Sequence, residues 1–305
     1  PRRDLTQTSL NDEYENQYLL QVDYTQPFAT KGKIETGIRT SFREMENDYL
    51  VQELQESGSY ETVDGLDNIF LYDENILAVY GILANEWAKW SYQAGLRAEY
   101  TDIETRLVET KESNPRTYSN LFPSGHLNYK ANAKNAFQLS YSRRIRRPVY
   151  NDLSPYVTFS DQRNFFSGNP NLDPEFTDAY ELGHILYGEK STLFSTLYYR
   201  NTQDKIQRIR SVGENGFSVT APYNLVGEES YGLEFSGDYV ASSWWKLDFN
   251  ANFFYATVDG SNLNQNFQAT TTSMLFRQSS RFTLPKGWDL QVRGNYEARR
   301  KTAQG

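Results

Sequence analysis

The 305-residue chain has no cysteine and only two histidines. The first absence excludes a disulfide-stapled scaffold and thiolate chemistry, and leaves the compartment open. The second leaves little for a Ser-His or Asp-His catalytic centre. No run of 18 apolar residues could cross a bilayer as a helix, and the mean hydropathy is −0.72. Glycine-rich phosphate loops and basic patches are missing, and the net charge of −8 disfavours a nucleic-acid partner. Asp173 and Glu175 flank Pro174 without the spacing of a calcium loop, so no metal or other cofactor is expected. The chain is rich in aromatic side chains, 15% of the total, with 23 tyrosines.

These residues fall into a strict alternation. Trp90, Tyr92, Ala94, Leu96, Ala98 and Tyr100 share one parity, while Ser91, Gln93, Gly95, Arg97 and Glu99 share the other. Side chains of a strand point to opposite faces with period two, so this segment has one apolar and one wet face. The pattern recurs over Tyr231 to Tyr239, Trp245 to Tyr255 and Trp288 to Tyr296, with weaker copies at Tyr18 to Tyr24, Ile34 to Phe42, Ile76 to Ala84 and Phe137 to Ile145. The expected fold class is all-β.

Aromatic residues mark both ends of these apolar faces. Trp90 and Tyr100 are ten residues apart, as are Trp245 and Tyr255. Ten strand residues at about 3.3 Å each, tilted near 40°, climb roughly 25 Å, the height of the apolar band on a membrane barrel between its aromatic girdles. A strand in a soluble sandwich is only about 5 to 6 residues long. Low average hydropathy fits, because a transmembrane barrel is apolar only on alternate residues.

Short connections are expected near Pro27 to Gly32, Asn85 to Glu86, Ala131 to Asn135, Gly188 to Ser191, Ala241 to Ser243 and Pro285 to Gly287. Longer ones are expected near Asn47 to Asn68, Asp102 to Arg116, Arg147 to Pro174, Gly213 to Gly216 and Asp259 to Asn266. The strands beside the Gly213 turn, Thr192 to Arg210 and Phe217 to Tyr239, read as single long strands. Short and long connections alternate, as periplasmic turns and outer loops do. The expectation is a transmembrane antiparallel up-and-down β-barrel of about twelve strands, with no second domain. If the short turns are periplasmic, both the first and the last strand meet the outside, which predicts an arc of a larger barrel. The start, Pro1, Arg2, Arg3 and Asp4, does not read as a signal peptide.

Tyr141, Ser142, Arg143, Arg144, Ile145, Arg146, Arg147 and Pro148, followed by Asn151, Asp152, Leu153, Ser154 and Pro155, resemble a block found in TonB-dependent outer-membrane receptors. Gly168, Asn169, Pro170, Asn171 and Leu172, then Pro174, Glu175, and Tyr180, Glu181, Leu182 and Gly183, are similar to a second. Tyr231, Gly232, Leu233 and Glu234 look like a later strand of that family, and Leu284 to Trp288 like one of its periplasmic turns. The resemblance implies a 22-stranded barrel with a plug, energised by TonB, that imports a siderophore, glycan or peptide. With about twelve strands and neither plug nor TonB box recognised, residues 1–305 are expected to be part of such a barrel. The resemblance further implies outer-membrane lipid, lipopolysaccharide, the plug, the TonB complex and a surface lipoprotein as partners.

Arg144 and Arg146 share parity with Gln138, Ser140 and Ser142, so they face the wet side; a charge facing lipid at mid-bilayer would cost about 2–4 kcal/mol. Arg143 has lipid-facing parity near the outer end, where it is expected to snorkel to lipopolysaccharide phosphates. The long loop between Pro148 and Pro174 carries Tyr150, Tyr156, Phe159, Phe165 and Phe166 and is expected to fold into the barrel mouth. The candidate ligand-binding set is Arg97, Arg144, Arg146, Tyr150, Tyr156, Phe165 and Glu181. The competing reading is that Arg39, Arg97, Arg144, Arg146, Glu99, Glu181 and Glu234 only neutralise one another in a polar lumen.

His184 has the parity of Tyr180 and Leu182 and is expected in a girdle, whereas His126 faces the wet side on a strand heading for a periplasmic turn. Neither is at the outer rim, so an enzyme is not expected and no residue is assigned as catalytic. Two alternatives to a receptor remain: a non-transporting scaffold barrel in surface display or secretion, and a soluble β-rich binding protein.

Overall fold

The computed structural model describes residues 6–63, 67–155, 164–213, 216–263 and 267–299, and the backbone of 157–161. Tyr156 and the side chain of Phe159 lie outside the described residues. The strands are β1 (Gln7–Phe28), β2 (Gly32–Leu54), β3 (Tyr60–Thr62), β4 (Asn68–Trp87), β5 (Trp90–Leu107), β6 (Ser113–Lys130), β7 (Asn135–Arg146), β8 (Val157–Asp161) and β9 (Asn164–Ser167). They continue with β10 (Glu175–Tyr187), β11 (Ser191–Gln203), β12 (Ile206–Val212), β13 (Ser218–Asn224), β14 (Gly227–Ser242), β15 (Trp245–Gly260), β16 (Phe267–Leu284) and β17 (Trp288–Glu297). One short helix, α1 (Tyr150–Leu153), and a 3-10 turn at Pro285–Gly287 complete the order.

The main sheet runs β1-β2-β4-β5-β6-β7-β10-β11-β14-β15-β16-β17, with β3 added to β2. Every neighbouring pair along it is antiparallel. β1 and β17 stand at its two ends, and no pairing joins them among the described residues. The sheet is therefore open, as an arc requires.

Period two holds across the whole sheet. Leu20, Val22 and Tyr24 of β1 face the same way as Ile34, Ile38 and Phe42 of β2, and the run continues to Trp288, Leu290, Val292 and Tyr296 of β17; all are exposed. Registered side by side, Tyr141, Tyr180, Tyr199, Tyr231 and Tyr255 form one tyrosine row across five strands. Ring centroids in it lie 4.9 Å apart for Tyr141 and Tyr180, 6.3 Å for Tyr180 and Tyr199, and 5.1 Å for Tyr231 and Tyr255. At the other end of the apolar face Trp90 packs on Tyr129, and Phe137 on His184, whose Nε2 lies 2.9 Å from Asn135 Oδ1. Two aromatic bands thus bound the apolar face, with His184 in one of them as expected.

Several connections differ from the sequence reading. Asn85 and Glu86 are not a turn: pairing continues to Trp87 opposite Trp90, and Ala88, at φ 47°, makes the reversal. Asp102 and Arg116 pair within β5 and β6, leaving a connection of only residues 108–112. On the parity that faces outward in the rest of the strand these extensions carry polar residues such as Asp102, Glu104 and Arg106, so they read as loop although they pair as strand. About 9–11 residues cross a membrane, and β1 and β2 have 22 and 23, so the outer ends project well beyond one.

The two long strands predicted around Gly213 are each broken, at Asp204–Lys205 and Leu225–Val226. β12 and β13 leave the main sheet and form a second one in the order β12-β13-β9-β8, with β13 parallel to β9. Beneath it lies the apolar core. Met45, Phe70, Tyr72, Ile103 and Leu107, on the otherwise polar face of the main sheet, pack against Leu153 of α1, Leu172 and Ile206 of β12. Burying a side chain such as Leu153 or Leu172 stabilises the fold by about 1.5–3 kcal/mol.

Candidate functional site: the polar wall and its inner loop

The segment between β7 and β10 is built by the two sequence blocks together. The Gly168 amide donates to the Ser154 carbonyl at 2.8 Å and the Asn169 amide to that of Asp152 at 2.6 Å, so the α1 turn and the Gly-Asn-Pro turn are fastened to each other. Asn169 Nδ2 donates to the Pro222 carbonyl at 3.2 Å and Asn224 Oδ1 accepts from the Asp173 amide at 2.8 Å, tying both turns to β13.

Four arginines tie this assembly together, to the wall and to β12. Arg208 of β12 donates twice to Asp152 Oδ1, at 3.0 and 2.7 Å, and its guanidinium lies 4.7 Å over the Phe166 ring. Arg146 reaches Glu175 at 2.9 Å, and the buried Glu175 also accepts the Ile206 amide at 2.7 Å. Arg147 donates to Glu99 at 2.6 Å and to Thr101 at 3.0 Å. Arg116 donates to the Leu172 carbonyl and, at 2.5 Å, to Asp173, and the Tyr150 hydroxyl donates to Glu13 of β1. Charged hydrogen bonds of this kind are about twice as strong as neutral ones. The clamp involves more residues than the sequence reading named: Arg116, Arg147, Asp152 and Arg208 were missed as site formers, because nothing local marks which distant strand each will meet.

The predicted residues divide into anchored and open ones. Arg97 is held by Glu99 at 2.5 Å and lies 5.9 Å over the Tyr80 ring; Glu99 therefore neutralises both Arg97 and Arg147. Tyr150 packs on the apolar core, and Phe165 meets Phe217 in a tilted ring contact at 5.7 Å. Glu181 accepts from Ser140 and from Arg200, both at 3.4 Å. Arg144 is exposed on the polar face opposite Thr177, with no side-chain partner among the described residues. Arg143 lies on the apolar face as expected, yet it is not free: it pairs with Asp178 at 3.3 Å and lies 5.4 Å over Phe176. His126 lies on the polar face in β6, paired in register with Gln93 and Ser140.

One device occurs twice on the polar face. Tyr80 lies across Gly37, where a Cβ would sit 2.4 Å from its hydroxyl, and donates to Asp23 beyond, with Arg97 over its ring. Tyr198 lies across Gly232, donates to Asn252 at 3.0 Å and carries Arg200 at 4.3 Å over its ring. An aromatic ring over a strand glycine covers the exposed backbone. The Tyr-Gly-Leu-Glu block is thereby explained: Tyr231 joins the tyrosine row, Gly232 admits Tyr198, Leu233 is on the apolar face, and Glu234 accepts from Asn250 at 2.6 Å.

Near the clamp, the Asp204 carboxyl titrates above the usual aspartate range, first because burial disfavours its charge and second because Asp173 is nearby. Among the described residues no group of three or more His, Cys, Asp or Glu side chains converges to hold a metal ion.

An exposed apolar face bounded by aromatic bands, backed by a polar face, defines a membrane β-barrel wall. The outer membrane protein beta-barrel family model matches residues 1–305, and the chain belongs to that family. It is an outer-membrane protein, its apolar face turned to lipid and its polar face to the lumen. A search of curated proteins finds no match to the chain. Among solved structures it is similar to the copper transporter OprC, with a TM-score of 0.66 at 15% identity over 90% of this chain and 44% of that one. The ferric-catecholate import receptor Fiu from K12 E. coli gives 0.64 at 12% over 93% and 44%. The ferric yersiniabactin uptake receptor FyuA from Yersinia pestis gives 0.61 at 12% over 97% and 44%. The chain thus spans less than half the length of these receptors, and the likeness establishes the fold.

Proposed function

We propose that this chain forms part of the barrel wall of an outer-membrane receptor that imports a bulky nutrient, a siderophore, glycan or peptide, with energy delivered by TonB and a plug closing the lumen. The observation that carries this reading is a lumen wall furnished for contact. An inner loop is clamped to its polar face, while Arg144 stays exposed there with no side-chain partner among the described residues. Lumen charges that served only to neutralise one another would all be paired. The work is transport rather than catalysis, with lipid and lipopolysaccharide outside the wall and a surface lipoprotein as a candidate partner at the mouth.

The test is accumulation of radiolabelled ferric siderophores, oligosaccharides and peptides in cells carrying the full-length receptor, with TonB present or deleted. At least one probe is expected to accumulate only with both receptor and TonB, and Arg144→Ala is expected to lower its uptake severalfold at unchanged receptor level. Accumulation of every probe without TonB overturns the energised-import reading, and receptor-dependent accumulation of no probe overturns the proposal in favour of the scaffold barrel.

A further inference from the structure

The lumen wall has a recess at the level of the tyrosine row. In register across β7, β10, β11, β14, β15 and β16 stand Ser142, Ala179, Arg200, Ser230, Ala256 and Thr271, one row in which all but the arginine are small. Below it Tyr198 and Phe254 pair with Gly232 between them, and above it stand Glu228 and Val258. Between these ledges lies a cavity of about 290 Å³ open to the lumen, lined by Arg200, Glu228, Ser230, Asn252, Phe254 and Thr271 among others. That volume is at the lower end for a small-molecule site.

Its chemistry selects among ligand classes. Arg200 is matched by Glu181 at 3.4 Å and Lys205 by Glu228 at 3.7 Å, so the recess has no excess of either sign. An anionic ferric complex would need a surplus of cations, and a bare cation a surplus of carboxylates; neither is present. What is present is an aromatic side chain, Phe254, beside the Ser230 hydroxyl, the Asn252 amide, and the open sides of an arginine and a glutamate. Such a set offers an apolar face together with donors and acceptors in several directions. A polyhydroxylated ring has the same combination, with C–H groups on its faces and hydroxyls around its edge.

We propose that this recess is a binding subsite for a neutral oligosaccharide, with one sugar ring against Phe254 and its hydroxyls bonded to Ser230, Arg200 and Glu228. The inference rests on the uptake reading above and names its substrate class. Gly232 is what makes the floor: with any side chain there, Tyr198 is displaced and Arg200 with it.

The test is binding of the detergent-solubilised full-length receptor to an array of neutral glucan, xylan and mannan hexasaccharides, with a ferric tris-catecholate complex as charged control. At least one neutral probe is expected to bind. Ser230→Trp, which fills the recess, should weaken it at least tenfold, and Phe254→Leu, which removes only the aromatic face, several-fold. Heat-modifiable gel mobility checks that both variants are folded. Binding of no neutral probe, or binding indifferent to both substitutions, overturns the subsite. TonB-dependent accumulation of the ferric control without glycan binding overturns the subsite and leaves the uptake reading standing. Glycan binding without TonB-dependent accumulation of any probe does the reverse.

Discussion

Gly168 shows how closely the inner loop is fitted. A Cβ built on it would meet the Ser154 carbonyl oxygen at 2.3 Å and the Asp152 carbonyl oxygen at 2.8 Å, backbone atoms that cannot swing aside. Those residues belong to the α1 turn, whose Asp152 holds Arg208 and whose Leu153 reaches the core. Gly168→Ala therefore separates the two turns rather than disturbing one of them, at a cost of about 1–3 kcal/mol for overpacking. The measurement is the rate at which protease cuts between residues 147 and 174 in the detergent-folded protein, expected to rise severalfold. Gly125→Ala is the control, since nothing lies within 4 Å of a Cβ there, and it should leave both cleavage and unfolding unchanged.

At the scale of elements, the faces of the strands were legible in the sequence and their ends were not. Alternation is a local property, so Trp90 to Tyr100 revealed its two sides without reference to any neighbour. A turn depends on where pairing stops, and polar Asn85 and Glu86 look like a reversal although Trp87 and Trp90 still pair beyond them. The break after Gln203 was hidden because it is made by Asp204 at φ 54°, a left-handed conformation that aspartate tolerates and that no glycine advertises. The clamp was partly legible: Arg146 was named from its block, but its partner Glu175 was identified only as part of a motif, and Arg208 carries no signature at all. Asp204 also gives this break a pH dependence. Its folded-state pKa is raised by burial and by Asp173, so the folded state takes up its proton more readily than the unfolded one. Its stabilising effect is therefore complete in acid and is lost as pH rises through the folded-state value. Asp204→Asn keeps the left-handed residue and removes the charge. It should raise stability near neutral pH by less than about 1 kcal/mol, because the site is partly solvated, and the gain should shrink on acidification and vanish below the ordinary aspartate range, where both states are protonated. Denaturant unfolding at the two pH values checks it; a gain independent of pH would refer the effect to the backbone alone.

For the whole molecule the governing fact is that its largest apolar surface is turned outward. Leu96 is 51% exposed and Tyr100 50%, while the next residue along from Leu96, Arg97, is tucked against Glu99 on the other side of the sheet. In water such a surface would be a liability extending over the whole sheet; in a bilayer it is what holds the wall in place. The two faces of one strand should therefore respond oppositely to the same substitution. Leu96 stands between the aromatic ends of its strand, well inside the hydrocarbon, so Leu96→Arg should cost about 2–4 kcal/mol when the full-length barrel is folded into phospholipid vesicles. Gln93→Arg, three residues away on the exposed polar face, places the same guanidinium in the lumen and should cost little. Unfolding titrations of the two variants in vesicles decide between the faces. Equal penalties, or a larger one for Gln93→Arg, would mean that lipid does not lie against Leu96 and that the wall has been turned the wrong way round.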